Sequence, residues 1–470
     1  MLKYWEILYS YLPVNLQNLA ISSYGFVYRK KRFGGIFDVE YKKALDREHY
    51  TQNDWIEYQK IEMRKILINA YFNVPFYKEL FTKLGYDDMK LASFEIKDLQ
   101  SIPFLTKSDY RTFGSTLLLS KKIAKNGEFH FSSGSTGTPT KTYYSKSFLQ
   151  KYYGIFEARV NNWAGVTSKA SRGTFGPRRI LPTSILKPPY YRYNHAEKQT
   201  YFSAFHVSLK TAPNYIEGLL KRRIDYMTGY AMSNYFLAKS IKELGLKAPK
   251  LKAVITSSEK LTKEMRDVFR EVYDCETFDS YNGVEACNLI SECEHHRLHI
   301  SPDVGIVEIL DSEGKEVKLG EMGEVVSTGL LNFDQPLIRY KMGDYISLSL
   351  NQNCPCGRKM PVVEEIIGRI MDTVTCLDGR KIVSFYRVFT NLPKIIESQL
   401  IQEEISIFKV NLVTTEKLSL EEESLIISRI ISQVGDASIK INYLQEIPKG
   451  PNGKFKSVIS KLNQSREINI

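Results

Sequence analysis

The chain has 470 residues, with 65 lysines and arginines against 53 aspartates and glutamates, a formal net charge of +12 with histidine neutral. At 43% hydrophobic and 25% charged it falls among ordinary globular proteins rather than disordered ones. Its length suggests about three domain-sized units, one large body plus a smaller one. No apolar run reaches the roughly 18–20 residues that cross a bilayer, which excludes a helical transmembrane protein. Six scattered cysteines make no disulfide scaffold, and Asn15, Gln17 and Asn18 leave residues 1–28 too polar for a signal-peptide core. A reducing cytoplasm is the expected compartment.

The N-terminal stretch carries Tyr4, Trp5, Tyr9, Tyr11, Tyr24, Phe26 and Tyr28, followed by Arg29-Lys30-Lys31-Arg32. The basic run reads either as a solvated turn or, with its aromatics, as a peripheral contact with an anionic membrane. No helix-turn-helix, zinc-finger or RNA-binding signature accompanies it, so no nucleic-acid partner is expected. Ile61, Met63, Ile66, Leu67 and Ala70 recur at helical spacing until Asn73-Val74-Pro75. From about residue 125 to 350, short β-rich runs alternate with amphipathic helices, the pattern of an α/β body. Leu251–Thr256 reads as a strand before a helix carrying Leu261, Met265, Val268, Phe269 and Val272. Ile306–Leu310 and Val325–Thr328 read as strands joined through a turn at 311–314. In the tail, strand Ile405–Val413, helix Leu418–Val434 (Leu420, Ile426, Ile427, Ile430, Ile431 apolar) and strand Ile439–Leu444 make a small α+β unit. The pattern divides into an N-terminal helical, aromatic-basic segment (1–60), a body (61–367) and a C-terminal unit (368–470).

The most specific segment runs from Phe131 through Ser132, Ser133, Gly134, Ser135, Thr136, Gly137, Thr138, Pro139 and Thr140 to Lys141. Hydroxyls and glycines in such a run let backbone N–H groups converge on phosphate oxygens. It lacks the G-x-x-x-x-G-K-[ST] order of a Walker loop. A second constellation is Cys293-x₅-His299 with Cys354-Pro355-Cys356-Gly357. Three thiolates and an imidazole make a closed, structural zinc site. His295, His296 and Cys287 stand close enough to be alternative ligands, whereas Cys275 and Cys376 read as core.

The hydroxyl-rich segment resembles the phosphate loop of the adenylate-forming enzymes, and four later segments follow that superfamily's order. Thr256-Ser257-Ser258-Glu259-Lys260-Leu261 resembles its adenine-side loop. Tyr281-Asn282-Gly283-Val284-Glu285 resembles its aromatic-plus-acid motif, the tyrosine stacking on adenine and the glutamate reaching Mg²⁺. Arg339 through Asp344 resembles the ribose motif, and Pro448 through Lys454 the end motif that supplies the catalytic lysine. Asn73-Val74-Pro75-Phe76-Tyr77 and Ile102 through Lys107 are most similar to the phenylacetate–CoA ligase-like branch, which includes capsular-polysaccharide CapK-type proteins.

The resemblance implies a large adenylate-forming α/β body with a small α+β lid. It implies ATP with Mg²⁺, a small-molecule carboxylic acid, and CoA as the thiol co-substrate. Lys454 and Glu285 would be catalytic. Ser132 through Thr138, Lys141, Ser257, Ser258, Glu259, Tyr281, Asn282, Asp344 and Arg369 would meet the nucleotide. Three departures stand out: Val284 replaces the hydroxyl before the acid, Asn282 a glycine, and Met371 the hinge carboxylate. The ligase would serve surface-polysaccharide synthesis; two other readings stand beside it, transfer of the acyl or AMP group to an amine or hydroxyl, and, favoured by Val284 and Met371, a membrane-associated pseudoenzyme. Trp163, Tyr190, Tyr191, Tyr193, Phe202 and Phe205 are candidates for an acyl pocket or for core.

Overall fold

Three helices, α1 (Val14–Phe33), α2 (Phe37–Asp46) and α3 (Gln52–Asn73), lead into the body. They belong to a computed structural model that describes residues 9, 12–132, 140–178, 180–181, 187–368, 374–377, 381–382, 385–389, 392, 394–449 and 455–462. Thr51 and Asp54 cap α3 reciprocally, and the helix stops before Pro75, as its sequence predicts. Met63, Ile66, Leu67 and Ala70 are buried, while Ile61 faces outward. The basic run 29–32 is the last turn of α1, a helix where a solvated turn is one expectation. Among the described residues no helix is long and apolar enough to cross a membrane.

Strands β1 (Glu128–Phe131) and β2 (Lys141–Tyr144) form an antiparallel ribbon whose connection is the hydroxyl-rich segment. After helix α4 (Lys146–Phe156) come β3 (Arg172–Phe175), β4 (Tyr191–Asn194), β5 (Gln199–Phe202), β6 (Tyr226–Tyr230), β7 (Ala253–Ser257) and β8 (Glu276–Tyr281). The sheet continues with β9 (Ile290–Glu292), β10 (Leu298–Ile300), β11 (Gly305–Leu310), β12 (Met322–Gly329), β13 (Tyr340–Leu348) and β14 (Val362–Gly368). The order is β11-β12-β13-β14-β10-β9-β8-β7-β6-β3-β5-β4, twelve strands. Strands β5, β3, β6, β7 and β8 run parallel. Helices α5 (Ala231–Glu243) and α6 (Lys263–Tyr273) supply the crossovers among β6, β7 and β8. Met265, Val268 and Phe269 of α6 are buried, as its periodicity requires.

The C-terminal strands are β15 (Val374–Thr375), β16 (Lys381–Ile382), β17 (Ile395–Glu404), β18 (Ile407–Thr414), β19 (Ser438–Tyr443) and β20 (Val458–Ser460). The last four form a separate sheet, β19-β18-β17-β20, under helix α7 (Leu420–Val434). Its core holds Leu400, Phe408, Val410, Leu412, Ile426 and Ile430. The apolar face of α7 differs from the expected set. Ile426, Ile430 and Val434 point inward at four-residue spacing, whereas Leu420 is 81% exposed and Ile431 faces solvent. Leu420 directly follows the cap Ser419, a turn before the buried face begins. β17 and β20 are unforeseen: Glu397, Gln399 and Gln402 break any alternation in the first, and the second has only three residues. Ile447 and Phe455 leave this unit and pack into the body's core beside Phe236.

Candidate active site

Parallel strands β6, β7 and β8 end at Tyr230, Ser257 and Tyr281, and beyond those ends lies a cleft of about 1400 Å³. Open α/β sheets place ligands outside the carboxyl ends of their strands. The body lines the cleft with Ser132, Ser258, Glu259, Tyr281, Asn282, Glu285 and Asp344, and the C-terminal unit closes one side with Ser398 and Phe455 through Val458. Residues of four of the five motifs thus meet at one cavity, which Phe455, just past the fifth, also lines.

Their contacts interlock. At the neck of the hydroxyl-rich loop, the Ser132 N–H donates to the Thr140 carbonyl (3.0 Å) and the Thr140 N–H to Ser132 Oγ (2.9 Å). Thr140 Oγ1 then donates to Glu285 Oε1 (3.1 Å), and the Tyr340 hydroxyl donates to the same oxygen (3.3 Å). A Cβ at Gly283 would come within 2.6 Å of Glu285 Oε2, so a side chain there would push the carboxylate away from Thr140 and Tyr340. The Tyr281 hydroxyl donates to Asp344 Oδ2 at 2.8 Å, joining the aromatic and ribose motifs. The Val284 carbonyl accepts from the Tyr144 hydroxyl at 2.5 Å. Burial pushes the phenols of Tyr144 and Tyr281 well above their ordinary range, so both stay protonated donors.

Glu259 has a contact that its motif did not suggest. Its Oε2 accepts the Met232 N–H at the start of α5 (2.8 Å), and its Oε1 accepts the Phe455 N–H (3.1 Å). One body carboxylate therefore holds the C-terminal unit at the residue that follows Lys454 in the chain. Phe455 packs edge-on against Phe236 at 4.9 Å, and Lys449 Nζ donates to the Ala204 carbonyl (2.8 Å). Ser257 closes β7 half-buried, and Lys141 opens β2 exposed. Ser133 through Thr138, Arg369, Met371 and Lys454 lie outside the described residues.

The aromatic wall of the cleft comes from Tyr28, His130, Tyr144, Tyr152, Tyr153 and Phe156. The tyrosine doublets just after the hydroxyl-rich loop were the available signal. Of the earlier candidates, Tyr190, Tyr191 and Phe202 pack into the core around Tyr215, and Trp163 lies beside the cysteine cluster. Asp279 at the cleft edge accepts from Thr256 Oγ1 (2.9 Å) and the Ser280 N–H (3.0 Å), yet burial and the nearby Glu292 push its carboxyl up to about 7.

Away from the cleft, Cys293, His299, Cys354 and Cys356 converge, with all four ligand atoms within 4.8 Å of one another. The Cys293 and Cys354 sulfurs are 3.7 Å apart, and Cys356 Sγ lies 3.5 Å from His299 Nε2. Tetrahedral ligation at zinc bond lengths requires about 3.8 Å between sulfurs and about 3.5 Å between sulfur and nitrogen. His299 Nδ1 donates to the Met360 carbonyl (3.2 Å), which leaves Nε2 as the lone-pair donor. Burial holds that imidazole down to about 4, so it is neutral. Of the other nearby candidates, His296 is engaged with Glu276 and Glu292 and Cys287 with Met342, while His295 is exposed outside the cluster. Cys275 and Cys376 are buried.

A family model described as the CapK C-terminal domain matches residues 375–461. The chain is 25% identical to Protein CapK of Staphylococcus aureus over 97% of its own length and 99% of the relative's. It is 26% identical to a phenylacetate-coenzyme A ligase of Thermus thermophilus, over 67% of this chain and 70% of that one. Among solved structures, 2-hydroxyisobutyryl-CoA ligase in the postadenylation state, in complex with R3-HIB-AMP, superposes with a TM-score of 0.69. That match covers 90% of this chain and 93% of the other at 17% identity. The same ligase with 2-HIB-AMP and CoA in the thioesterification state gives 0.54, over 90% and 94% of the two chains. The fold is that of adenylate-forming CoA ligases. In sequence the chain is similar to Protein CapK and to the phenylacetate-coenzyme A ligases.

Proposed function

We propose that this protein joins a carboxylic acid to MgATP as an acyl-adenylate and then passes the acyl group to the thiol of CoA. The observation that carries the reading is the convergence of Ser132, Glu285, Tyr281, Asp344 and Glu259 on one cleft, with Thr140 bonded to Glu285 behind it. In the first step a carboxylate oxygen attacks the α-phosphorus and the bond to pyrophosphate breaks. In the second the thiolate attacks the acyl carbon and AMP leaves. Both steps gather negative charge, so positioning and electrostatic stabilisation supply most of the catalysis. Mg²⁺ bound with the nucleotide would neutralise phosphate charge. Glu285, oriented by Thr140 and Tyr340, is the carboxylate placed to hold it. Asp344 takes the ribose hydroxyls, with Tyr281 fixing its rotamer. The hydroxyl-rich loop cradles the phosphates, and Lys454 bridges carboxylate and α-phosphate as the resemblance implies. The better match to the postadenylation form supports reading the Glu259–Phe455 contact as part of the adenylating arrangement.

The Cys293, His299, Cys354, Cys356 set is proposed to hold a structural zinc ion. Surface-polysaccharide synthesis in the cytoplasm is the setting that the CapK-type resemblance supports. A membrane contact of the N-terminal segment is a separate reading that rests on its own surface. Val284, which offers no hydroxyl and whose carbonyl is taken by Tyr144, favours a second reading, a non-catalytic relative.

ATP–pyrophosphate exchange across a panel of carboxylic acids separates the two readings. One acid class should support exchange, and Lys454→Ala should lower it about a hundredfold or more while melting is unchanged. Exchange with no acid, in a protein that binds ATP, would overturn the ligase reading. Product formation that ignores CoA but requires an amine or hydroxyl would move the acceptor to that class.

A further inference from the structure

Helix α1 is built inside out. Its inward face is polar and pairs residue by residue with β4 and the turn that follows. Asn18 Oδ1 accepts the Tyr193 N–H (2.9 Å), and Ser22 Oγ accepts the His195 N–H (3.0 Å). Arg29 donates to the Ala196 carbonyl (2.8 Å), and buried Arg32 pairs with Glu197. Gly25 lets the two segments touch, since a Cβ there would lie 2.3 Å from Asn194 Nδ2. Positions 18, 22, 25, 29 and 32 define one helical face. The opposite face shows Leu16, Leu19, Phe26 and Val27, exposed by 47%, 62%, 54% and 55%, with Lys30 beyond them, 4.5 Å over the Phe26 ring. A helix on a water-exposed surface carries the reverse pattern. An apolar stripe of this kind, broken by Ser23, marks a surface that something else covers.

The charge selects the occupant. Between Val14 and Phe33 there is no acidic residue, and three basic ones, Lys30, Lys31 and Arg32, crowd the last turn. Lys31 and Arg32 are neutralised by Glu128 and Glu197, whereas Lys30 keeps its charge at the end of the stripe. Two copies meeting in parallel through this face would juxtapose like charges. An apolar stripe ending in cations suits an anionic bilayer surface. The preceding sequence adds Trp5 and Tyr11, residue types that favour membrane interfaces. We propose that α1 rests on anionic membranes, with Leu16, Leu19, Phe26 and Val27 entering the headgroup–acyl boundary and Lys30 meeting lipid phosphate.

The test is co-sedimentation of the purified full chain with phosphatidylglycerol–phosphatidylcholine vesicles and with phosphatidylcholine alone, at low and high salt. The full chain should pellet with the anionic vesicles and be released by salt. The Phe26→Glu/Val27→Glu double variant should bind about tenfold more weakly or worse, and Lys30→Gln about fivefold more weakly. All these side chains are exposed, so melting curves should stay unchanged, and Leu19→Ser provides a milder arm. Absent binding, or binding equal in the full chain and the double variant, would overturn the proposal. So would a dimer in light scattering that the double variant dissociates, because the stripe would then be covered by a second copy.

Discussion

Replacing Glu259 by glutamine isolates the contact between the body and the C-terminal unit. The carboxylate accepts two backbone N–H groups, Met232 at 2.8 Å and Phe455 at 3.1 Å. Glutamine keeps the length but offers one oxygen and one NH₂, so one N–H loses its acceptor and faces a donor. Hydrogen bonds to a charged group contribute about 1.5–3 kcal/mol. Glu259 is half-buried, which keeps most of that value. The docked arrangement should lose up to about 10- to 150-fold in population relative to alternatives. If docking serves adenylation, ATP–pyrophosphate exchange falls by up to that factor, while acyl transfer from synthetic acyl-adenylate falls less than about threefold. Phe455→Ala supplies an independent arm. It removes the edge-on contact with Phe236, at a cost of about 3–5 kcal/mol, without touching the carboxylate. Equal loss of both half-reactions in Glu259→Gln would refute the docking argument. Intact exchange in Phe455→Ala alongside a defective Glu259→Gln would also refute it, because Glu259 would then act on the nucleotide.

The remaining predictions concern metal, acid and pH. Elemental analysis should find about one zinc per chain, and Cys356→Ser should lower the melting temperature while leaving turnover per folded molecule unchanged; a metal-free protein that melts like the variant would contradict this. Glu285→Gln retains a shape that Thr140 and Tyr340 can still meet, so it should fold normally yet adenylate about a hundredfold more slowly; unaltered Mg²⁺ dependence would remove Glu285 from the metal site. Asp279, raised to about 7, binds its proton more tightly folded than unfolded, so stability falls as pH rises from about 4 to 7. The full penalty is at most about 4 kcal/mol and less in proportion to solvent exposure. Asp279→Asn should therefore gain melting temperature over the parent at pH 8 relative to pH 5, and parallel curves would show the carboxyl to be ordinary.

The sequence alone determined the α/β class, the order of the five motifs, the four metal-type ligands and the helices whose periodicity is strong, such as α3 and α6. Each of these is written in short-range spacing, or in residue types that carry their chemistry wherever they are placed. The strands without alternation, such as β17, were not legible because their polar residues are buried by partners from elsewhere in the chain. The aromatic wall was also a tertiary decision. A tyrosine's sequence neighbours do not say whether it faces a cavity or a core, and Tyr144 and Tyr190 part only when the sheet closes. The same holds for Glu259, whose motif suggests a nucleotide contact and whose geometry adds a bond to Phe455. It holds most plainly for α1: its composition marks an aromatic-basic segment, but only docking on β4 decides that the polar face turns inward, because Asn18, Ser22 and Arg29 find their partners there.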